Sequence, residues 1–429
     1  ENFKTFKDKF VFSMEPAPKQ KGLDYSIFKK RINGKDYRGL STAVIYGPNA
    51  AGKSNLIGAI EALEEIILRG NIKNTTPKTP NWAAFKLELI PNSTLEEAKP
   101  VSFGIKFIVD DLVVEYTLVL DLGLFGDTQY ERKVLSEELK VNEKPIFTRS
   151  DSLQLQNLHS IRTLVNDDVL DETKLPFLTS LAEKGLEKTD LFLSNGFRVI
   201  FAKKLVDKIG YWLGYQLIVI PRSDVVEYKG GQSKSYTPEM GKLFTRIANK
   251  LGSDTDKLGY ATFGDSNQEV LTSIIKSENN KDAFIPSELY ESYGTIRMVN
   301  LFPLLLMALR NGGALLVDEF DASIHPMVIM NIIKIFHDDE INVNHAQLIF
   351  NTHNPIFLNA NLLRRDEIKF VERDKETHFS RHYSLADFKT SGANGVRKGE
   401  DYLKNYFIDS YGAIDDVDLS GLLDGLILK

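Results

Sequence analysis

Lys53 and Ser54 close the stretch Gly47-Pro48-Asn49-Ala50-Ala51-Gly52-Lys53-Ser54, which fits the pattern G-x-x-x-x-G-K-[ST] at every fixed position. An amine and a hydroxyl side by side after a glycine-bearing loop suit phosphate chemistry. The amine reaches the β- and γ-phosphates of a nucleoside triphosphate, and the hydroxyl ligates Mg²⁺. The predicted nucleotide-binding residues are therefore Gly47, Pro48, Asn49, Ala50, Ala51, Gly52, Lys53, Ser54 and the adjoining Asn55. A second pair with chemical potential, Asp318 and Glu319, ends the apolar run Ala314-Leu315-Leu316-Val317. Beside a phosphate loop, Asp318 is expected to join Ser54 in holding the metal, and Glu319 to polarise the water that attacks the γ-phosphate. Lys53 and Glu319 are thus catalytic candidates, with a nucleoside triphosphate as substrate and Mg²⁺ as cofactor.

These residues need elements to position them. Ala43-Val44-Ile45-Tyr46 is a short apolar run suited to a buried strand, and Leu56, Ile57, Ile60, Leu63 and Ile67 recur at helical spacing until Arg69-Gly70 marks a stop. Strand, loop and helix N-terminus together form an anion site, because unpaired backbone N–H groups and the positive end of the helix dipole converge there. Two further pieces flank the acidic strand. Upstream, Ser292-Tyr293-Gly294-Thr295 opens the apolar helix Val299 to Leu309; downstream, Ile349-Phe350-Asn351-Thr352-His353-Asn354-Pro355 is a strand ending in His353. Each piece alone reads as ordinary structure, the first as a helix cap and the second as a strand-end histidine.

The order phosphate loop, Ser-x-Gly helix start, apolar strand with Asp-Glu, strand with His resembles that of the ABC-type ATPases. The resemblance implies that Ser292 and Gly294 form the signature motif, that Asp321 belongs to the loop after the acidic strand, and that His353 is the switch histidine on the γ-phosphate. It also implies a site completed across a homodimer or higher homo-oligomer. Ser-Tyr-Gly-Thr departs from the Ser-Gly-Gly of transporters and looks more like the soluble SMC-like and OLD-like branch. Asp318-Glu319-Phe320-Asp321-Ala322-Ser323-Ile324-His325-Pro326, Asn351 to Pro355 and the tail Gly399 to Ile414 are similar to the ATPases of bacterial abortive-infection and RloA-type anti-phage systems. Such ATPases imply a separate effector protein. By the same resemblance Lys4 and Thr5 sit where SMC-like relatives contact adenine, and Gln129 and Gln216 are candidates for the nucleotide-sensing glutamine.

The remaining chain sets bounds. Its 429 residues are 42% hydrophobic and 26% charged with a net charge of −6, a globular composition that disfavours coating nucleic acid through bulk charge. A local basic patch leaves nucleic acid open as a partner: Phe28 to Arg38 reads as a hairpin turning on Asn33-Gly34 with five basic residues. The absence of cysteine removes disulfides and thiolate chemistry. No apolar run approaches the length a bilayer needs, so no membrane partner and a cytoplasmic location are expected.

Phe3, Phe6 and Phe10 with Val11 and Phe12 suggest a first strand and its return. The segment 85–122 and its continuation to Phe147 alternate as antiparallel strands. The predicted fold class is α/β: an ABC-type P-loop ATPase core with an antiparallel β subdomain and a helical insertion. The expected division is 1–70 (core, first part), 71–148 (β subdomain), 149–289 (mainly helical insertion), 290–372 (core, second part) and 373–429 (C-terminal segment). An SMC-like DNA-binding ATPase is one competing reading, weakened by the missing coiled-coil heptads, and an OLD-type nuclease is the other. The nuclease needs a clustered carboxylate site, and only Asp416-Val417-Asp418 offers the spacing, more simply read as a solvated acidic turn.

Overall fold

A computed structural model describes residues 1–73 except 19 and 21, 97–221 except 125, 126 and 128, 238–262, 269–276, 281–390, and 395–415 except 398. The Asp416-Asp418 pair and the start of the 85–122 stretch lie outside these residues.

The hairpin forms as expected. Strands β1 (Ile27–Ile32) and β2 (Lys35–Leu40) pair antiparallel, and the turn is possible because Asn33 and Gly34 both take positive φ. Its basic character is partly compensated, since Arg31 pairs with Asp36 and Lys35 with Glu143. Strand β3 (Thr42–Tyr46) is buried throughout, and helix α1 (Lys53–Arg69) runs from the glycine loop to a left-handed Gly70 that caps it through Ile66. Strands β4 (Val101–Val109), β5 (Leu112–Asp121), β6 (Lys133–Val141), β7 (Lys144–Arg149) and β8 (Leu153–Leu155) form an antiparallel meander in sequence order, as the period-two pattern predicts.

The 149–289 stretch is more mixed than the helical insertion expected. It does contain helices α2 (Leu175–Lys184), α3 (Lys203–Tyr211) and α4 (Pro238–Lys250). It also supplies β9 (Leu217–Ile220) to the central sheet and a separate three-stranded sheet of β10 (Lys257–Thr262), β11 (Glu269–Lys276) and β12 (Asp282–Pro286). Leu-Ile-Val-Ile at β9 is too short for periodicity to separate strand from helix. Its pairing with the acidic strand settles the matter. Beyond it run α5 (Tyr293–Asn311), β13 (Ala314–Val317), α6 (Pro326–His337), β14 (Gln347–Asn351), β15 (Ile368–Arg373), β16 (Ser380–Ser384) and the short α7 (Tyr402–Phe407).

The central sheet has the order β16-β15-β3-β14-β13-β9, parallel except for β16. Alternate residues of β3 serve opposite faces. Ala43 and Ile45 pack with α1 and the β4–β8 meander, whereas Val44 and Tyr46 pack with α5, α6 and the C-terminal tyrosines. A parallel sheet covered on both faces needs near-continuous apolar strands, which is what Ala-Val-Ile and Leu-Leu-Val provide. The core also reaches past residue 372, because β16, Tyr402, Tyr406 and Tyr411 are part of it.

The aromatic opening corrects an expectation. Phe3 and Phe6 are buried, but no strand and return form; instead their backbones exchange hydrogen bonds of 2.9 and 2.8 Å across a turn in which Lys4, like Asn2 just before it, takes left-handed φ. Apolar spacing fixed burial, and the turn conformation fixed the path. Among the described residues no helix is long and apolar enough to cross a membrane.

Candidate nucleotide site

The phosphate loop sits at the C-terminal edge of the central sheet, held from both sides. At Gly47 an added Cβ would lie 2.2 Å from the Val371 carbonyl oxygen, so the loop passes β15 at a distance only glycine allows. At Gly52, with φ +110°, it would meet Ser380 Oγ at 2.7 Å and Thr5 Oγ1 at 3.0 Å. Those hydroxyls brace the loop: Ser380 donates to the Ala51 carbonyl at 2.6 Å, lies 2.8 Å from Thr5 Oγ1, and Asn55 Nδ2 donates to Thr5 at 3.0 Å. Asn49, Ala50 and Ser54 face solvent at the mouth.

Lys53 is 5% exposed and its Nζ donates to the carbonyls of Gly47 at 2.7 Å and Pro48 at 2.9 Å. Burial depresses its pKa to about 8, opposed by the charges of Asp318 and Glu319. A buried ammonium bonded to neutral carbonyls, at the start of a 17-residue helix whose N-terminus has no side-chain cap, fits an anionic ligand. The acidic strand meets it directly. Asp318 Oδ1 accepts from Ser54 Oγ at 2.9 Å and from Asn351 Nδ2, while its backbone N–H donates to Ile220 at 2.9 Å. A hydroxyl and a carboxylate in contact are hard oxygen donors of the kind Mg²⁺ takes. Burial pushes the Asp318 pKa up, and the hydrogen bonds from Asn351 and Ser54 oppose it.

Glu319 has a left-handed backbone, φ +51°, with an exposed side chain. Its N–H donates to Asn351 Oδ1 and its carbonyl accepts from Nη2 of the buried Arg297 on α5. Asp321, half-buried, has its pKa raised by burial against a hydrogen bond with Thr352. His353 lies in the same field. Partial burial and then the Lys53 charge lower its pKa, while Glu319, Asp321 and Asp318 pull it upward. The structure thus gathers Lys53, Ser54, Asp318, Glu319 and His353 around one point.

Ser292 and Gly294 have work within their own subunit. Ser292 caps α5, accepting from Thr295 N at 3.1 Å, and its hydroxyl lies 2.8 Å from that of Thr295. A Cβ at Gly294 would come 2.3 Å from the Ser323 carbonyl oxygen in the loop after β13. Ser292 is nonetheless exposed at the helix N-terminus. The glutamine candidates are placed elsewhere: Gln216 donates to the Asn311 carbonyl at the end of α5, and Gln129 stands exposed in a turn with Asp127. Sequence reading missed Asn351, Arg297 and Ser380. Asn351 stood inside a quoted motif, but nothing in a strand-end asparagine announces what its amide bridges.

A family profile described as "AAA domain, putative AbiEii toxin, Type IV TA system" matches residues 43–359. No curated protein matches the chain. Solved structures that it is similar to include the SmcHead bound to the C-winged helix domain of ScpA, at 13% identity and a TM-score of 0.35, covering 83% of this chain and 94% of that one. Another is the Smc head domain with an extended coiled coil bound to the C-terminal domain of ScpA derived from Pyrococcus furiosus, at 13% identity and a TM-score of 0.34, covering 83% and 95%.

Proposed function

The chain belongs to this family of AAA domains, and from that premise we propose that it is a Mg²⁺-dependent ATPase acting as a switch. Two copies close around ATP, and the nucleotide state governs a separate effector in anti-phage defence in the cytoplasm. The observation that carries the ATPase reading is the 2.9 Å contact between Ser54 and Asp318, side chains 264 residues apart that meet beside a buried lysine. Lys53 and the backbone N–H groups at the start of α1 bind the phosphates. Ser54 and Asp318 hold Mg²⁺, which when bound neutralises charge on the β- and γ-phosphate oxygens. Glu319 orients the attacking water and accepts its proton, and His353 contacts the γ-phosphate.

The exposed N-terminus of α5 supports the dimer. Ser292 and the N–H of Gly294 are offered to the ATP of a partner subunit, as the ABC-type motif order implies. The defence role rests on the resemblance to abortive-infection and RloA-type ATPases, and membership of a family described as a putative AbiEii toxin of a Type IV TA system supports it.

Steady-state hydrolysis of MgATP tests the reading. Lys53→Ala is expected to abolish hydrolysis and weaken nucleotide binding; Glu319→Gln is expected to bind ATP while turnover falls at least about a hundredfold. A Glu319→Gln protein with normal turnover refutes the assigned role. Copurification of the native protein then identifies the effector, and growth arrest by this chain alone refutes a separate one.

A further inference from the structure

We infer that Asn351 is the positioning residue of the hydrolytic step, a two-sided amide that sets Asp318 and Glu319 in one fixed geometry. The register places it there. β13 and β14 run parallel with Val317 opposite Phe350, so Asp318, the first residue past β13, lies beside Asn351, the last residue of β14. Asn351 is 1% exposed. Its Nδ2 donates to Asp318 Oδ1 and its Oδ1 accepts from the Glu319 N–H. The orientation of the amide is dictated, because a backbone N–H can only donate and must face the oxygen. The nitrogen then faces the carboxylate.

The primary amide supplies a donor and an acceptor in one plane without any change of protonation. Glu319 needs the support, since a non-glycine residue with left-handed φ is held there only by its surroundings. Its side chain faces solvent, so the backbone bond to Asn351, with the Arg297 bond to its carbonyl, fixes where the carboxylate can reach. Asn351 touches neither nucleotide nor water in this role; it acts through Glu319 and Asp318. The inference rests on the proposed ATPase reading and adds to it a residue outside the phosphate-loop, acidic-strand and His353 assignments.

The experiment is a double-mutant cycle with Asn351→Leu, which keeps the branched outline of four side-chain heavy atoms and removes both bonds, and Glu319→Gln. ATP affinity is measured at equilibrium without turnover, alongside kcat and thermal unfolding. Asn351→Leu is expected to lower kcat about a hundredfold, the scale of an ångström of misplacement at a reacting centre, with ATP affinity within about threefold of wild type. Combined with Glu319→Gln it should add less than about threefold, because both remove the same contribution. Asn351→Asp keeps the shape and the acceptor for the Glu319 N–H, so its kcat should lie between those of Asn351→Leu and wild type. An unfolded Asn351→Leu leaves the Asp variant to decide: kcat equal to wild type there overturns the inference. So does an Asn351→Leu loss that multiplies fully with Glu319→Gln, or one that appears in ATP affinity as much as in kcat. A wild-type protein that does not hydrolyse ATP is a different failure, that of the ATPase reading itself.

Discussion

Replacing Gly294 with alanine sets two effects of opposite sign against each other. Gly294 is the second residue of α5, where helix propensity alone favours alanine by up to about 1 kcal/mol. Packing says the reverse. The new Cβ would stand 2.3 Å from the Ser323 carbonyl oxygen, whereas ordinary contact begins at 3.4 Å, so helix and loop must part by about 1 Å. Both partners are backbone and neither can rotate away. Overpacking of this kind costs about 1–3 kcal/mol, so the net expectation is destabilisation, with the denaturation midpoint of the nucleotide-free protein lowered. The same displacement moves the N-terminus of α5 and the loop carrying Asp321, and misplacement of about 1 Å reduces turnover on the order of a hundredfold. Ser292→Ala is the control. It loses a cap of about 1 kcal/mol without forcing the loop apart. A Gly294→Ala protein at least as stable as wild type refutes the packing argument; a destabilised protein with normal ATPase activity removes the signature role.

Two further outcomes are expected. Lys53→Ala and Ser292→Arg homodimers should each be inactive, and mixing them under conditions of subunit exchange should partly restore hydrolysis, because one site of the heterodimer keeps both native residues; independent monomeric sites give no gain. Burial, with the Lys369 charge second, holds the His382 pKa down at about 4, against about 6.5 when unfolded, so the folded state binds fewer protons and stability falls as pH drops from 6.5 toward 4. The loss in unfolding free energy at pH 5 should be about 2 kcal/mol, read from denaturant titrations at pH 7 and pH 5, and His382→Phe should remove most of that dependence.

The parts legible in sequence are those where one local rule decides. The motif from Gly47 to Ser54 carries its own flanks, and α1 ends at Gly70 because only a left-handed residue closes the helix there. Alternation was sufficient for β4 to β6, each buried at alternate positions over most of its length. What escaped depends on contacts between distant residues. β9 is a strand because its four residues pair with β13, and nothing within them excludes a helix. The buried network of Thr42, His337 and Glu367, with hydrogen bonds of 2.7 to 2.9 Å, joins β3, the end of α6 and the residue before β15, each unremarkable in its own segment. Asn351 belongs to the same class.

That dependence has a consequence for what counts as the folding unit. The family match covers 43–359, yet the phosphate loop is braced by Thr5 on one side and Ser380 on the other, and both lie outside that span. The Gly47 turn is shaped by the Val371 carbonyl, also outside it. Tyr46, which leads into the loop, packs against Phe370 and Tyr406. The conformation of the loop that holds Lys53 is therefore a property of both ends of the chain folded together. Segments far from the recognisable motifs have a direct physical path, through packing and hydrogen bonds, to the phosphate-binding loop.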